Sequence, residues 1–367
     1  MRILVVCHPP LSAQLGAAQT ALTLAEALRG RGHDAQAWSP EPLPPGTRWW
    51  NLWLRQRQVA ADFAASHGPF DVIDTPAISA TGELARWGAL VVRSVQPELL
   101  YLADAIAGDL RHRLTPRSLL HALQGGPRAA AILAGWRRAR FILCLGSGEL
   151  AWMRRRFPGW RNKLGGYLSA PTPAERPALL AVRRQRPEGS HHEGIRFLWI
   201  GRWAAHKGTR RLIRFFVARA AAFPADTLTI AGCGPAAARD VPEALLRSGQ
   251  VRLVSSFQRA ELPALLAGHD AGLFTSSLEG WGLSLNEMLE SGLPVFATPA
   301  GGVTDLRPFF PVSLRPFPPP DRAGLEPAPL EDLEANGYLE KFSWPRIALA
   351  YEQQALAAVS RWAPGAQ

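Results

Sequence analysis

The sequence predicts an α/β protein of two similar parallel-sheet domains, and three observations carry that prediction. Short apolar strands alternate with helical stretches through the first half, the alternation lapses between residues 165 and 194, and it then restarts. Strands that alternate with helices form a parallel sheet covered on both faces, with ligands gathered at the carboxyl ends of the strands. In the first half, strands are expected at Ile3 to Cys7, Ala35 to Trp38, Val72 to Asp74, Leu90 to Arg93 and Phe141 to Leu145. Helices are expected over Leu15 to Arg29, where Leu22, Leu24, Ala25 and Leu28 recur at helical spacing, and over Ala80 to Trp87, Pro116 to Ala139 and Gly148 to Phe157.

The segment from Ala170 to Pro177 is rich in turn formers and marks a boundary. Beyond it come strands at Ile195 to Ile200, Thr227 to Ala231, Val251 to Ser255, Ala271 to Phe274 and Pro294 to Ala297. Helices at Thr209 to Phe223, Ala236 to Ser248, Arg259 to Ala267 and Ser284 to Ser291 separate them, and Trp344 to Arg361 reads as a final helix. The expected domains are therefore 1–170, a linker at 171–194, 195–343, and a terminal helix at 344–367 that crosses back to the first domain.

Composition narrows the class. A chain of 367 residues at 47% hydrophobic and 19% charged excludes disorder, and no apolar run is long enough to span a bilayer. Cys7, Cys144 and Cys233 are far apart and odd in number, which argues for a reducing compartment and against a disulfide framework or zinc site. The N-terminus lacks the apolar core of a secretory signal, so a cytoplasmic location is expected. The net charge of +11 concentrates in the middle, where residues 101–250 hold 25 basic against 9 acidic residues. Such a surface suits an anionic small molecule, a membrane or nucleic acid. With 38 arginines and 3 lysines, coding bias alone is an equal explanation.

The chemistry concentrates in Glu279-Gly280-Trp281-Gly282-Leu283-Ser284-Leu285-Asn286-Glu287, which follows a strand and opens a helix. A glycine-rich turn of this kind brings backbone N–H groups and a helix N-terminus to one point, suited to phosphate or sugar hydroxyls. Taken alone, Ser284 and Glu287 also fit an ordinary capping box. Gly201-Arg202 and His206-Lys207-Gly208 place two cations at another strand end, a pair able to hold a diphosphate and stabilise it as a leaving group. Gly232-Cys233-Gly234-Pro235-Ala236-Ala237 fits a dinucleotide fingerprint, but the acidic residue expected about 20 positions later is missing, so a redox enzyme is disfavoured. His191-His192 shows no metal-like clustering with other histidines.

These pieces, with Gly292-Leu293-Pro294-Val295 and Gly301-Gly302, resemble the retaining GT-B glycosyltransferases of family GT4, the group 1 glycosyl transferases. The resemblance is dense in the second half and looser in the first. It implies two facing Rossmann-like domains with an interdomain cleft, and sugar transfer from a nucleotide-sugar donor to a glycan or lipid-linked acceptor, in cell-envelope polysaccharide synthesis. By the same resemblance Arg202 and Lys207 grip the donor diphosphate, Glu279 lies near the reacting carbon, and Glu287 accepts from the ribose. Gly16, Gly201, Gly232, Gly234, Gly280, Gly282, Leu283 and Ser284 complete the donor side. No metal and no cofactor are implied beyond the donor itself, and no nucleic-acid partner.

Two departures stand out: Gly16 is followed by Ala17 where the family often has two glycines, and Arg93-Ser94-Val95-Gln96 lacks the histidine that many members place after the fourth strand. Gln96 can hydrogen-bond a sugar but cannot take its proton. A degenerate, non-catalytic member and a nucleotide-sugar epimerase therefore stand as alternatives. Trp49, Trp50 and Trp53 with Arg55 and Arg57 are acceptor-side candidates, read either as core residues, as a helix cap, or as an interfacial anchor. Arg154-Arg155-Arg156 with Trp152 and Trp160 adds a second basic and aromatic cluster, which together with the first predicts peripheral contact with an anionic membrane at its inner face.

Overall fold

The computed structural model describes residues 1–12, 14–112, 115–186, 193–321 and 329–361. It divides into two compact units, Met1–Thr172 with Lys341–Gln367, and Pro173–Glu340. In the first unit, β1 (Arg2–Val6), α1 (Gly16–Arg29), β2 (Asp34–Trp38), α2 (Leu52–His67), β3 (Val72–Thr75) and β4 (Ala89–Arg93) come in order. They are followed by α3 (Glu98–His112), α4 (Pro116–Arg138), β5 (Phe141–Leu145), α5 (Gly146–Arg156) and β6 (Leu164–Tyr167). The six strands pair in the order β2-β1-β3-β4-β5-β6, all parallel. Strands β1, β3, β4 and β5 are almost wholly buried and mainly apolar, as a sheet covered on both faces requires, with Asp74 and Arg93 the charged exceptions inside β3 and β4.

The second unit repeats the plan. It comprises α6 (Arg176–Gln185), β7 (Arg196–Ile200), α7 (Thr209–Ala222), β8 (Thr227–Ala231), α8 (Glu243–Arg247), β9 (Val251–Val254) and α9 (Leu262–Ala267). Then come β10 (Ala271–Phe274), α10 (Leu283–Glu290), β11 (Val295–Ala297), α11 (Val303–Leu306), β12 (Leu314–Pro316) and α12 (Tyr338–Lys341). Its six strands are again parallel, in the order β12-β11-β10-β7-β8-β9. The chain ends in α13 (Trp344–Val359), which packs on α1 and on the sheet of the first unit. Its buried face is Trp344, Ile347, Ala348, Tyr351, Ala355 and Ala358, and the Trp344 indole donates to the Pro171 carbonyl at 3.0 Å.

Several elements differ from the sequence expectation. The helix expected over 80–87 is two single 3-10 turns, Ala77–Ser79 and Leu84–Arg86. The helix expected over 236–248 is split into a 3-10 turn, Pro235–Arg239, and α8, because Pro242 excludes helical geometry from the residue before it. The stretch from 165 to 194, read as lacking periodicity, holds most of β6 and the whole of α6. Helix α6 is fastened by arginines: Arg183 donates to the Leu289 carbonyl at 3.1 Å and Arg186 to the His269 carbonyl at 2.9 Å. Helices α2 and α3 had no counterpart in the expected element list.

Candidate active site

In the second unit β10, β7 and β8 lie side by side, so their carboxyl ends share one edge of the sheet. β7 runs out into Gly201-Arg202, and β10 into the loop that carries Glu279. The two loops are tied together by backbone geometry. The Thr275 hydroxyl donates to the Lys207 carbonyl at 2.9 Å and accepts from the Trp199 indole at 3.1 Å, while the Ser277 amide donates to the His206 carbonyl at 2.8 Å. Gly208 stands between these bonds with φ of 71°, and a Cβ there would collide with the Thr275 carbonyl. Only glycine satisfies both conditions.

That tie brings Lys207 and Glu279 together, with Nζ 2.5 Å from Oε2 and the Ser276 hydroxyl donating to the same oxygen at 3.0 Å. Arg202 is exposed and makes no hydrogen bond or ion pair among the described residues. The strand-end edge therefore presents one unpaired cation beside an internally balanced pair. Gly201 packs on the Trp199 ring, while Gly232 and Gly234 follow β8 with φ of 72° and 64°.

Helix α10 opens directly on this loop. Its cap is Gly282, at φ of 87°, with no side-chain cap bond, so the capping-box reading of Ser284 and Glu287 does not hold. Gly280, Trp281 and Gly282 are buried, Leu283 and Ser284 half-buried, and α10 is buried from Leu285 through Glu290. Two carboxylates in that buried face, Glu287 and Glu290, lie one turn apart, and each is met by an arginine. Arg259 Nη2 donates to Glu287 Oε1 at 2.6 Å, and Arg176 makes a two-point contact with Glu290 at 3.0 and 2.8 Å. The Trp281 indole donates to Asn286, whose amide donates to the Tyr338 hydroxyl, which donates to Glu290 at 2.7 Å. Burial pushes Glu287 above the usual carboxylate range, with Arg259 pulling the other way.

Arg259, Arg176, Asn286, Glu290 and Tyr338 were not singled out from the sequence. Glu290 carried one usable signal, its spacing of three from Glu287 on a single helix. A groove of about 540 Å³ runs along β8 and β9 past Thr229, Arg252, Phe257 and His269, and none of the motif residues lines it.

The first unit holds the remaining candidates. Gly16 is the first residue of α1 and is exposed, and Gln96 is exposed in the loop between β4 and α3. Trp49 and Trp50 are 44% and 46% exposed, just before α2, so the core reading fails for both. Trp53 is half-buried, with the Arg57 guanidinium 5.4 Å from its ring centre. The Trp152 and Trp160 rings pack partly buried on the core beside Phe157, leaving Arg154, Arg155 and Arg156 exposed. The pair His191-His192 lies outside the described residues.

Two parallel six-stranded sheets with flanking helices, and a motif loop opening a helix at a strand end, are the parts of a GT-B fold. Residues 194–308 match the family described as Glycosyl transferases group 1, a stretch that contains Arg202, Lys207, Glu279 and Glu287. A comparison with curated protein sequences gives no match. Among solved structures the chain is similar to sucrose-phosphate synthase from Thermosynechococcus elongatus, at 15% identity and a TM-score of 0.63, over 97% of this chain and 94% of that one. It is also similar to WaaG, a glycosyltransferase involved in lipopolysaccharide biosynthesis, at 15% identity and a TM-score of 0.57, over 100% of this chain and 95% of that one. HepE from Anabaena, solved with UDP and glucose, aligns at 15% identity and a TM-score of 0.56, over 98% of this chain and 95% of that one. At these identities the likeness is one of fold.

Proposed function

We propose that the chain is a retaining glycosyltransferase that moves a sugar from a nucleotide-sugar donor to a glycan or lipid-linked acceptor in cell-envelope polysaccharide synthesis. The observation that carries this reading is the strand-end set in which Arg202 stands unpaired beside the Lys207–Glu279 ion pair. In this reading Arg202 and Lys207 hold the donor diphosphate, supplying without a metal the charge that a departing phosphate requires. Glu279 orients Lys207 and lies against the donor sugar, and Glu287 takes hydroxyls of the ribose. Gly16 is the residue of the first unit assigned to the donor phosphates.

The bond between the anomeric carbon and the diphosphate oxygen breaks, and the acceptor hydroxyl attacks from the same face. Its proton passes to the departing diphosphate, so configuration is retained and no protein base is needed. This accommodates Gln96 in place of a histidine, since an amide can position the acceptor without accepting its proton. Double displacement would need a carboxylate nucleophile at the reacting carbon, and Glu279 is occupied by Lys207 and Ser276.

The deciding experiment offers UDP-, GDP- and ADP-sugars with and without a cell-envelope extract, following binding and nucleotide release. Transfer with release in the intact chain, reduced roughly 100-fold or more in Arg202→Ala and Lys207→Ala, is the expected result. Full turnover in both variants would refute the assignment. Binding without release under every condition would point to a non-catalytic member, and altered sugar stereochemistry without release to an epimerase.

The acceptor side is assigned to Gln96, Trp49, Trp50 and Trp53. The exposure of Trp49 and Trp50 beside exposed Arg48 and Arg55 supports reversible docking on an anionic membrane surface. No helix among the described residues is long and apolar enough to cross a membrane. Sedimentation with anionic vesicles at low salt, lost at high salt and absent with neutral vesicles, is the expected outcome. Equal failure to pellet with both vesicle types would remove the membrane from the proposal.

A further inference from the structure

Glu287 is almost wholly buried, its side chain only 3% exposed, yet just one of its two oxygens has a partner among the described residues. Oε1 accepts from Arg259 Nη2 at 2.6 Å, and no hydrogen bond to Oε2 is formed. Oε2 is not sealed from solvent, so a ligand that brings hydroxyl groups can reach it.

Arg259 is itself held at two points. Its Nε donates to Glu175 Oε1 at 2.7 Å, just ahead of α6. Its backbone lies in a 3-10 turn, Arg259–Glu261, whose start is clamped by the Glu261 carboxylate on the Gln258 amide at 2.6 Å. Segments 84 and 28 residues away in the chain thus meet on one guanidinium.

We propose that Arg259 is a positioning residue for donor recognition, one that locks Glu287 Oε1 and leaves Oε2 as the acceptor for ribose hydroxyls of a nucleoside diphosphate. This rests on the reading of the strand-end set as a nucleotide-sugar site.

Electrostatics strengthens the geometric case. Burial, Glu175 and Glu290 all push Glu287 toward its protonated form, and Arg259 is the cation that opposes them. The nearby Arg176 is committed to Glu290. Without Arg259, Glu287 would be pushed further toward its protonated form, and a carboxylic acid accepts hydroxyl hydrogens far less well than a carboxylate. The loss of donor affinity should then reverse as pH rises, which a merely structural arginine would not produce.

The test measures binding of UDP, GDP and ADP by calorimetry from pH 6 to 9, with the 2′-deoxy form of whichever binds best. The intact chain should bind the ribonucleotide with little pH dependence and prefer it to the deoxy form. In Arg259→Gln the affinity at pH 7 should fall roughly 10-fold or more, recover toward pH 9, and lose most of its ribose preference. In turnover, the same variant should raise KM for the donor and leave kcat nearly unchanged. Arg259→Lys, which keeps the charge, should retain part of the affinity. Glu175→Gln should extend tight binding to lower pH, giving a second reading if Arg259→Gln does not fold. A folded Arg259→Gln chain with unaltered ribose preference and no pH slope overturns the proposal. An intact chain that binds no nucleoside diphosphate overturns the nucleotide-sugar reading, and this proposal with it.

Discussion

Glu149 illustrates how one side chain ties stability to pH. The Ser94 hydroxyl has a single hydrogen and two acceptors in reach, the Gln96 carbonyl at 2.9 Å and Glu149 Oε1 at 2.7 Å. Both contacts are satisfied if Glu149 carries a proton and donates it to Ser94, and burial pushes Glu149 up to about 7 in agreement. Glu98 is raised to about 7 as well, again by burial, against the Ala77 and Ile78 amides that bind its carboxylate. Each folded value lies above the ordinary one, so the folded state holds more protons than the unfolded state between about 4.5 and 7. The resulting stability is fully present below that window and lost as pH rises through about 7, with a slope of up to about 1.4 kcal/mol per pH unit for each group. His8 acts in the opposite sense: burial pulls it down to about 4, so its contribution is lost as pH falls below 6.5. Glu149→Gln keeps a donor toward Ser94 and removes the titration, so its stability should vary less between pH 5 and 8. Parallel denaturation profiles for the variant and the intact chain would count against a protonated Glu149.

Among the elements, the junction between the 3-10 turn Ala205–Lys207 and α7 is the one on which the candidate site depends most. Gly208→Ala must accept both a left-handed φ and a clash with the Thr275 carbonyl, so it should destabilise the second unit by about 2 kcal/mol or more. It should also lower transfer activity by displacing Lys207. Gly249→Ala is the control: φ is 77° there too, but a Cβ would meet nothing within 4 Å, and a loss of only about 1 kcal/mol is expected. Equal melting temperatures for the two variants would show that the Thr275 contact is not limiting. Helix α10 makes the complementary point. Its apolar residues and its carboxylates are buried alike, and the carboxylates are tolerated because arginines from α6 and from the turn after β9 reach them.

At the scale of the whole molecule, the last helix completes the first unit. α13 buries six side chains there, and its Glu352 binds Arg31 at 2.6 Å and His33 at 3.1 Å. Deleting residues 342–367 should cost the first unit roughly 5 kcal/mol or more, comparable to the whole stability of a domain. Calorimetry should then show one unfolding transition lost or strongly lowered and the transition of the second unit retained. Two unchanged transitions would refute this role. The basic excess also has a partly structural origin: Arg176, Arg183, Arg186, Arg196 and Arg219 all bind carboxylates or carbonyls within the second unit. Arg154, Arg155 and Arg156, by contrast, remain on the surface.

The sequence by itself determined the alternation of strands and helices, the repeat of that plan, and the strand-end loops carrying Arg202, Lys207, Glu279 and Glu287. Those features are local: periodicity, glycine at turns and fixed spacing survive in a linear reading because each involves neighbours along the chain. Tertiary structure alone decided that Lys207 pairs with Glu279, that Glu287 is held by Arg259, which Glu175 holds in turn, and that Trp49 and Trp50 lie exposed. It also decided that Asp74 and Arg93 form a wholly buried pair between β3 and β4. Such partners are chosen by the order in which strands assemble. In β12-β11-β10-β7-β8-β9 the neighbours at the site come from elements far apart in the chain, and no local pattern records which of 38 arginines will reach a given carboxylate.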